Sequence, residues 1–400
     1  MPIRAVIHQP SLPKYRVPVF RELASRLGMD LTIYHGELKE VPTAKADGFR
    51  AVPFKRLPWP LGSEAIGWQP MRLGYLTGRD ADVLVFNWNI RHTSLVPYLL
   101  TARRFGVPTV LWGHGFSKHE QPIRRLLRWN VARLATAVLT YNHSVADTLV
   151  ASGLPRERVF TALNTIDHRP ILAQRERWAQ KPEELEAFRV KNGLRSDAPH
   201  LLFVSRLDPN NRVDVLIDAV ALLRERMPGI RATIVGGGTD GERLRAHAES
   251  RGVLGSAVHL TGPIYDEDVL SAWFLSADLF VYPSNIGLSI IHALGYGLPV
   301  VVGDRIDLHN PEIEALFPGD NGALFKHNSA EALAGTIVSL WSDQPRLARM
   351  RACAAASARE YFTLKRMVDG LDAVIRYAAL RPMLDPESRD RTGLLPASQA

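Results

Sequence analysis

The sequence predicts an α/β protein made of two doubly wound, parallel-sheet domains facing each other across a cleft. Three observations carry that expectation. Strand-length apolar runs alternate with helix-length amphipathic runs through both halves of the chain, the pattern of parallel sheets covered on both faces. A polar stretch rich in Gln, Glu, Arg and Lys separates the two series between Asp167 and Asp197. The chain has 400 residues, more than one hydrophobic core usually organises.

Taken in order, strands are expected at 4–8, 29–34, 82–86, 109–112, 137–140 and 159–162, where aliphatic and aromatic residues cluster. Helices fall between them at 17–27, 94–104, 122–134 and 144–152, with Ser144 capping the last. These elements make an N-terminal domain over 1–170. Residues 171–197, interrupted by Pro182, read as a linker region. A second series places strands at 200–204, 232–235, 257–260, 279–282 and 299–302. Its helices fall at 213–226, 241–251, 266–275, 287–295, 330–341 and 344–360, in a C-terminal domain over 198–361. Residues 381–400, rich in Pro, Asp, Arg and Ser, read as a loose tail.

Composition narrows the partners. The net charge of +8 is carried largely by arginine; it suits a nucleotide diphosphate, an anionic lipid surface or nucleic acid. Nucleic acid ranks last, because no recognisable reader motif accompanies the charge. A single cysteine, Cys353, excludes an internal disulfide framework and fits a reducing compartment. The N-terminus runs straight into a strand, and nowhere do 18 consecutive apolar residues occur. The expected place is the cytoplasm, with the inner face of the plasma membrane as the surface a basic helix would meet.

The stretch Val281-Tyr-Pro-Ser-Asn-Ile-Gly-Leu-Ser organises the second half. A strand ends, Pro283, Ser284 and Asn285 break it, and Gly287 lets the backbone approach a ligand before a helix opens. Such a strand–elbow–helix unit is either an anion site at a helix mouth or a plain connection. After the strand 200–204 come Arg206 and Arg212, at a strand end and just before a helix. Both could grip one diphosphate and neutralise the charge that grows as it leaves; the plain alternative is two solvated arginines. The turn Gly236-Gly237-Gly238 again sits between a strand and a helix, without the spacing of a dinucleotide fingerprint. Ile264 follows the next strand, where main-chain groups can meet a base.

The ordered set Ser-Arg-Leu with Arg six residues on, the Gly-Gly-Gly turn, Leu-Thr-Gly-Pro, and Tyr-Pro-Ser…Gly-Leu…Gly-Leu-Pro-Val-Val resembles GT-B glycosyltransferases, specifically the retaining enzymes of family 4. Leu111-Trp-Gly-His-Gly-Phe116 resembles that family's His-Gly turn. The stretch 361–371 is similar to the helix that crosses back to the first domain, expected here over 362–380.

The resemblance implies that Arg206 and Arg212 bind the donor diphosphate and act in catalysis, with backbone groups of Gly287 and Leu288 on the distal phosphate. It places Gly236 and Gly237 near the donor, Ile264 at the nucleobase, and His114 at the donor sugar. It further implies a UDP- or GDP-sugar as donor, a glycan or lipid-linked acceptor, retention of anomeric configuration, and neither cofactor nor metal.

Two departures stand out. Most relatives carry two glutamates eight residues apart in the 281–301 stretch; this chain has Ser284 and His292 there, which puts the grip on the ribose in doubt. His292 reads either as a donor contact or as a core histidine. The family's glycine pair after the first strand is replaced by His8-Gln-Pro-Ser-Leu-Pro-Lys-Tyr-Arg, so Lys14, Tyr15 and Arg16 are either acceptor-side residues or an ordinary solvated loop.

Asp80 and Asp82 match an acidic metal-binding pair but stand at the beginning of a strand, the wrong edge of the sheet. The helix 122–134 carries Arg124, Arg125, Arg128 and Arg133 beside Trp129 and leucines; it either rests on anionic lipid or covers the sheet with a charged outer face. Two rival functions remain: a GT-B isomerase or hydrolase acting on the nucleotide-sugar alone, and a non-catalytic nucleotide-sugar-binding partner.

Overall fold

The computed structural model describes residues 1–37, 42–55, 57–58, 67–115 and 122–384. The chain divides into two compact units: Met1–Asn164 with the chain from Leu364 onward, and Thr165–Thr363.

The first unit holds a parallel sheet of seven strands: β1 (Ile3–Gln9), β2 (Met29–His35), β3 (Arg50–Pro53), β6 (Val83–Asn87), β7 (Thr109–Gly113), β8 (Ala137–Thr140) and β9 (Val159–Thr161). A separate short antiparallel pair, β4 (Leu57–Pro58) and β5 (Gly67–Trp68), lies between β3 and β6 in sequence. The order across the sheet is β3-β2-β1-β6-β7-β8-β9, with its reversal between β1 and β6. Side chains alternate between faces along each strand. Ala5 and Ile7 of β1 join one core with Phe20 and Leu23, while Val6 joins the other with Leu84, Phe86 and Leu99. The final helix, Leu364–Leu384, supplies Met367, Val368, Leu371 and Val374 to the first of these cores. Gly370 is what lets that helix lie close, since a Cβ there would stand 3.0 Å from Ala162.

The second unit holds a six-stranded parallel sheet: β10 (His200–Val204), β11 (Arg231–Val235), β12 (Val258–Gly262), β13 (Leu279–Tyr282), β14 (Val300–Gly303) and β15 (Gly322–Phe325). Its order is β12-β11-β10-β13-β14-β15, so the reversal falls between β10 and β13. In open doubly wound sheets the crevice beyond the strand ends at that reversal is where ligands bind.

Several expectations need correcting. Residues 171–197 are not a linker: Arg169–Ala179 and Pro182–Lys191 are helices of the second unit. Their outward charges hide a narrow apolar stripe. Trp178 donates to Ser271 at 2.8 Å, and the Phe188 ring meets Trp273 edge-on at 4.8 Å. Asn142, not Ser144, caps the helix His143–Ala151, accepting from the Val145 amide at 3.3 Å. The last helix extends to Leu384 rather than 380, and the rest of the expected tail, with Phe116, lies outside the described residues. Cys353 is exposed on the helix Gln344–Glu360.

Candidate active site

The loops that leave β10 and β13 meet at the reversal in the second sheet. Asn211 ties them together: its side-chain amide donates to the Arg206 carbonyl at 2.6 Å, its side-chain oxygen accepts from Asn285 at 2.9 Å, and its carbonyl accepts from the Ser284 amide at 3.2 Å. Asn211 and Ser284 are both buried. Behind the second loop, His309 accepts from the Ile286 amide at 3.2 Å and donates through Nε2 to the Gly303 carbonyl at 2.9 Å, which fixes one neutral tautomer. Asn310 donates to the Asn285 carbonyl at 3.0 Å. A third tie joins the strand ends themselves, Tyr282 donating to Ser205 Oγ at 3.0 Å; burial pushes the Tyr282 phenol up to about 12.

The backbone is strained at this same place. Among the described residues only Arg212, Asn285 and Asn328 are non-glycines with positive φ, at 52°, 63° and 60°. Asparagine tolerates that region, but arginine rarely adopts it. Arg212 donates to Asn328 Oδ1 at 2.7 Å and forms a two-pronged pair with Asp214 at 3.2 Å, while Asn285 bonds to Asn211, the residue before Arg212. Strain of this kind persists only where surrounding contacts over-determine the conformation, and it concentrates at functional sites.

Each expected residue can now be placed. Arg206 is exposed on the β10 loop and Arg212 is half-buried at its end. A Cβ on Gly287 would come 3.3 Å from the side-chain amide nitrogen of Asn310, and Leu288 follows this glycine. Gly236 turns with φ 157°, and a Cβ on it would run into the Ser205 carbonyl. A Cβ on Gly237 would make ordinary contact with Pro263 at 3.5 Å. The glycine turn is therefore required at Gly236 by close packing of the β10 loop. Ile264 is half-buried just past β12.

His292 lies one turn inside the helix Ser289–Gly295, 2.9 Å from Glu267 Oε1 and facing the Phe274 ring at 4.5 Å. Tyr296 donates to the same carboxylate oxygen. Burial opposes the charge on Glu267, but the contacts with His292 and Tyr296 prevail and hold its pKa below the usual value. Burial and the neighbouring Glu267 raise the Tyr296 phenol.

In the first unit, His114 is exposed at the end of β7, its ring 4.9 Å from Tyr141. Gly113 and Gly115 flank it because Trp88 and Val145 leave no room for a Cβ at either position. Lys14 and Tyr15 are exposed. Arg16 is a correction: it turns inward, buried against Trp112 at 4.9 Å and Tyr141 at 5.2 Å, a cation held by ring faces rather than an acceptor contact.

Asp82 pairs with Arg4 at 2.6 Å. Among the described residues no three His, Cys, Asp or Glu side chains gather into a metal site. No described helix is long and apolar enough to cross a membrane.

Residues missed from sequence include Asn211, Asn328, His309, Asn310 and Glu267. The Asn210-Asn211 pair before Arg212 was a turn signal; the partnership of Glu267 with His292 is purely tertiary.

Comparison with known proteins bears on the family and the fold. Residues 198–343 match the family model described as Glycosyl transferases group 1. A GDP-mannose-dependent alpha-(1-6)-phosphatidylinositol monomannoside mannosyltransferase of Mycolicibacterium smegmatis is 28% identical over 236 residues, 56% of this chain and 60% of that protein. A D-inositol 3-phosphate glycosyltransferase of Streptomyces griseus is 30% identical over 292 residues, 66% of this chain and 60% of that protein. The chain thus spans about three fifths of the length of these curated relatives. Among solved structures, Anabaena HepE in complex with UDP superposes with a TM-score of 0.69 at 17% identity, covering 94% of this chain and all of that one. Sucrose-phosphate synthase from Thermosynechococcus elongatus gives 0.66 at 14% identity, covering 93% and 98%. Both share the fold.

Proposed function

Starting from a chain of GT-B fold whose residues 198–343 form a group 1 glycosyl transferase domain, we propose that it is a retaining glycosyltransferase. It moves a hexosyl-type sugar from a UDP- or GDP-sugar to a glycan or lipid-linked acceptor in the synthesis of cell-surface polysaccharide or glycoconjugate. The observation that carries this reading is the strained, cross-tied pair of loops at the β10/β13 reversal, with Arg206 and Arg212 on one and Gly287 on the other. The relatives named for GDP-mannose and the structure holding UDP support the donor class.

In this reading the second unit holds the donor. Arg206 and Arg212 meet the diphosphate and stabilise the negative charge that develops as its bond to the sugar breaks. Asp214 and Asn328 hold the Arg212 fork before substrate arrives, so little reorganisation is needed. Amides near Gly287 and Leu288 take the distal phosphate. His114 of the first unit acts on the donor sugar, Lys14 and Tyr15 lie on the acceptor side, and the leaving phosphate accepts the acceptor's proton. Positive charge at the leaving group comes from side chains, and no metal takes part.

The helix Pro122–Leu134 gives the enzyme its place at an anionic membrane. Ile123, Leu126 and Leu127 are exposed at 80%, 61% and 48%, interleaved with Arg124, Arg125 and Arg128, the composition of a helix that lies in a lipid interface. The expected location is the cytoplasmic face of that membrane.

The test is release of free UDP or GDP from a donor panel, with and without an acceptor pool. Release that depends on acceptor is the expected result. Release without acceptor would indicate the hydrolase; conversion of the donor to an isomeric nucleotide-sugar without release would indicate the isomerase; tight donor binding with neither would indicate a non-catalytic binding partner.

A further inference from the structure

The carboxylate of Glu267 is unusual in its placement. Glu267 opens the helix Glu267–Ser276, three residues after Ile264 at the end of β12. It reaches His292, on the helix that follows the Gly287 loop at the end of β13. Both of its hydrogen bonds, from His292 and from Tyr296, fall on Oε1. Oε2 has no partner among the described residues and is not among the buried polar atoms left unsatisfied, and the side chain remains 29% exposed.

A half-buried carboxylate between two helices is a poor choice for stability alone, since an apolar pair of similar volume would serve as well. Here two donors fix one oxygen and leave the other presented, which is how a side chain is oriented for a ligand.

Resting on the donor reading above, we propose that Glu267 is the residue that grips the nucleotide's ribose, Oε2 accepting from its vicinal hydroxyls while His292 and Tyr296 act as positioning residues. Any nucleoside diphosphate carries its ribose between base and diphosphate. With the base at Ile264 and the diphosphate at the Arg206–Gly287 loops, the ribose lies between the two, and the Glu267–His292 contact joins the helix that follows Ile264 to the helix that follows Gly287. Carboxylates at strand ends of doubly wound sheets take ribose hydroxyls in this way, and a hydroxyl donating to a charged acceptor makes one of the stronger hydrogen bonds. His292 is then neither a core histidine nor itself the ribose contact; it holds the carboxylate that is.

The experiment titrates the full chain by calorimetry with UDP and GDP and with their 2′,3′-dideoxy forms. For whichever base binds, the ribonucleotide should bind roughly tenfold to a hundredfold more tightly than its dideoxy form. Glu267→Ala and Glu267→Gln should weaken the ribonucleotide and leave the dideoxy form unchanged, so that the preference collapses. Tyr296→Phe should erode it partly. Equal binding of both forms by the unmodified protein, or a preference that survives in Glu267→Gln, would overturn the assignment; the first needs no variant to fold. Failure of every nucleoside diphosphate to bind would instead bring down the donor reading, and this assignment with it.

Discussion

At the scale of single residues, the proposed donor grip of Arg212 would compete with stability. A non-glycine held near φ 52° is strained by about 1 kcal/mol or more. Arg212→Gly should therefore keep or raise the melting temperature while weakening donor binding, which calorimetry and thermal melting on one preparation would reveal together. A variant that lost stability and kept its donor affinity would show the arginine to be structural. Arg206→Ala should lower turnover by about a hundredfold to a thousandfold at saturating donor, the usual loss for one preorganised charge-stabilising group. Unchanged turnover would remove Arg206 from the catalytic set. The position of the two arginines, past a strand end and before a helix start, was legible in the sequence. The left-handed backbone of Arg212 was not, since nothing in arginine's chemistry favours it; contacts with Asp214 and Asn328, the latter 116 residues away, accompany it. His292 was legible as a departure from a pattern, but its meaning was hidden in a carboxylate on another helix.

At the scale of elements, β10 carries a buried titratable group at the edge away from the site. His200 bonds to the Ser276 carbonyl at 3.1 Å and to Thr233 Oγ1 at 2.9 Å, and burial pushes its pKa down to about 4. Between the unfolded value near 6.5 and that folded value, the unfolded chain takes up a proton that the folded imidazole refuses. Stability should thus be flat above pH 6.5 and fall below it, with His200 contributing about 2 kcal/mol of the loss by pH 5. Calorimetric melting at pH 7.5 and pH 5 should show the drop, to which His8, pushed down to about 3 by burial, contributes as well; His200→Gln should lessen it, and an unaltered slope in that variant would contradict the assignment.

The helix Pro122–Leu134 makes a second prediction at this scale. Replacing Leu126 and Leu127 with Asp should abolish cosedimentation with anionic vesicles and leave the melting temperature nearly unchanged, because both side chains are exposed. Persistent vesicle binding by that variant would reassign the helix to covering the sheet. Buried strands such as β10 and β13 were read at their true limits because their apolar runs are continuous. The edge strands Arg50–Pro53 and Gly322–Phe325 were missed because short, half-exposed strands lack that run. The helices within 169–191 were mistaken for a linker because charge on their outer faces outweighed a thin apolar stripe.

At the scale of the whole molecule, the doubled α/β architecture could be read from alternation alone, and the proposed placement of the site rests on it. A sheet whose order reverses between β10 and β13 opens its crevice there, and the arginine and glycine loops lead from those two strands. What alternation could not supply was the wiring: Asn211 ties the two loops together, and His309 and Asn310 brace the second of them from behind. Amides and imidazoles of this kind are sequence-anonymous until the fold brings them together. The central claim is that these loops hold a nucleoside diphosphate, and calorimetric titration of UDP and GDP into the unmodified chain and Arg206→Ala tests it most directly. The account predicts saturable binding of one of the two by the unmodified chain, weakened at least tenfold by the substitution; binding of neither, or equal affinity in both proteins, would contradict it.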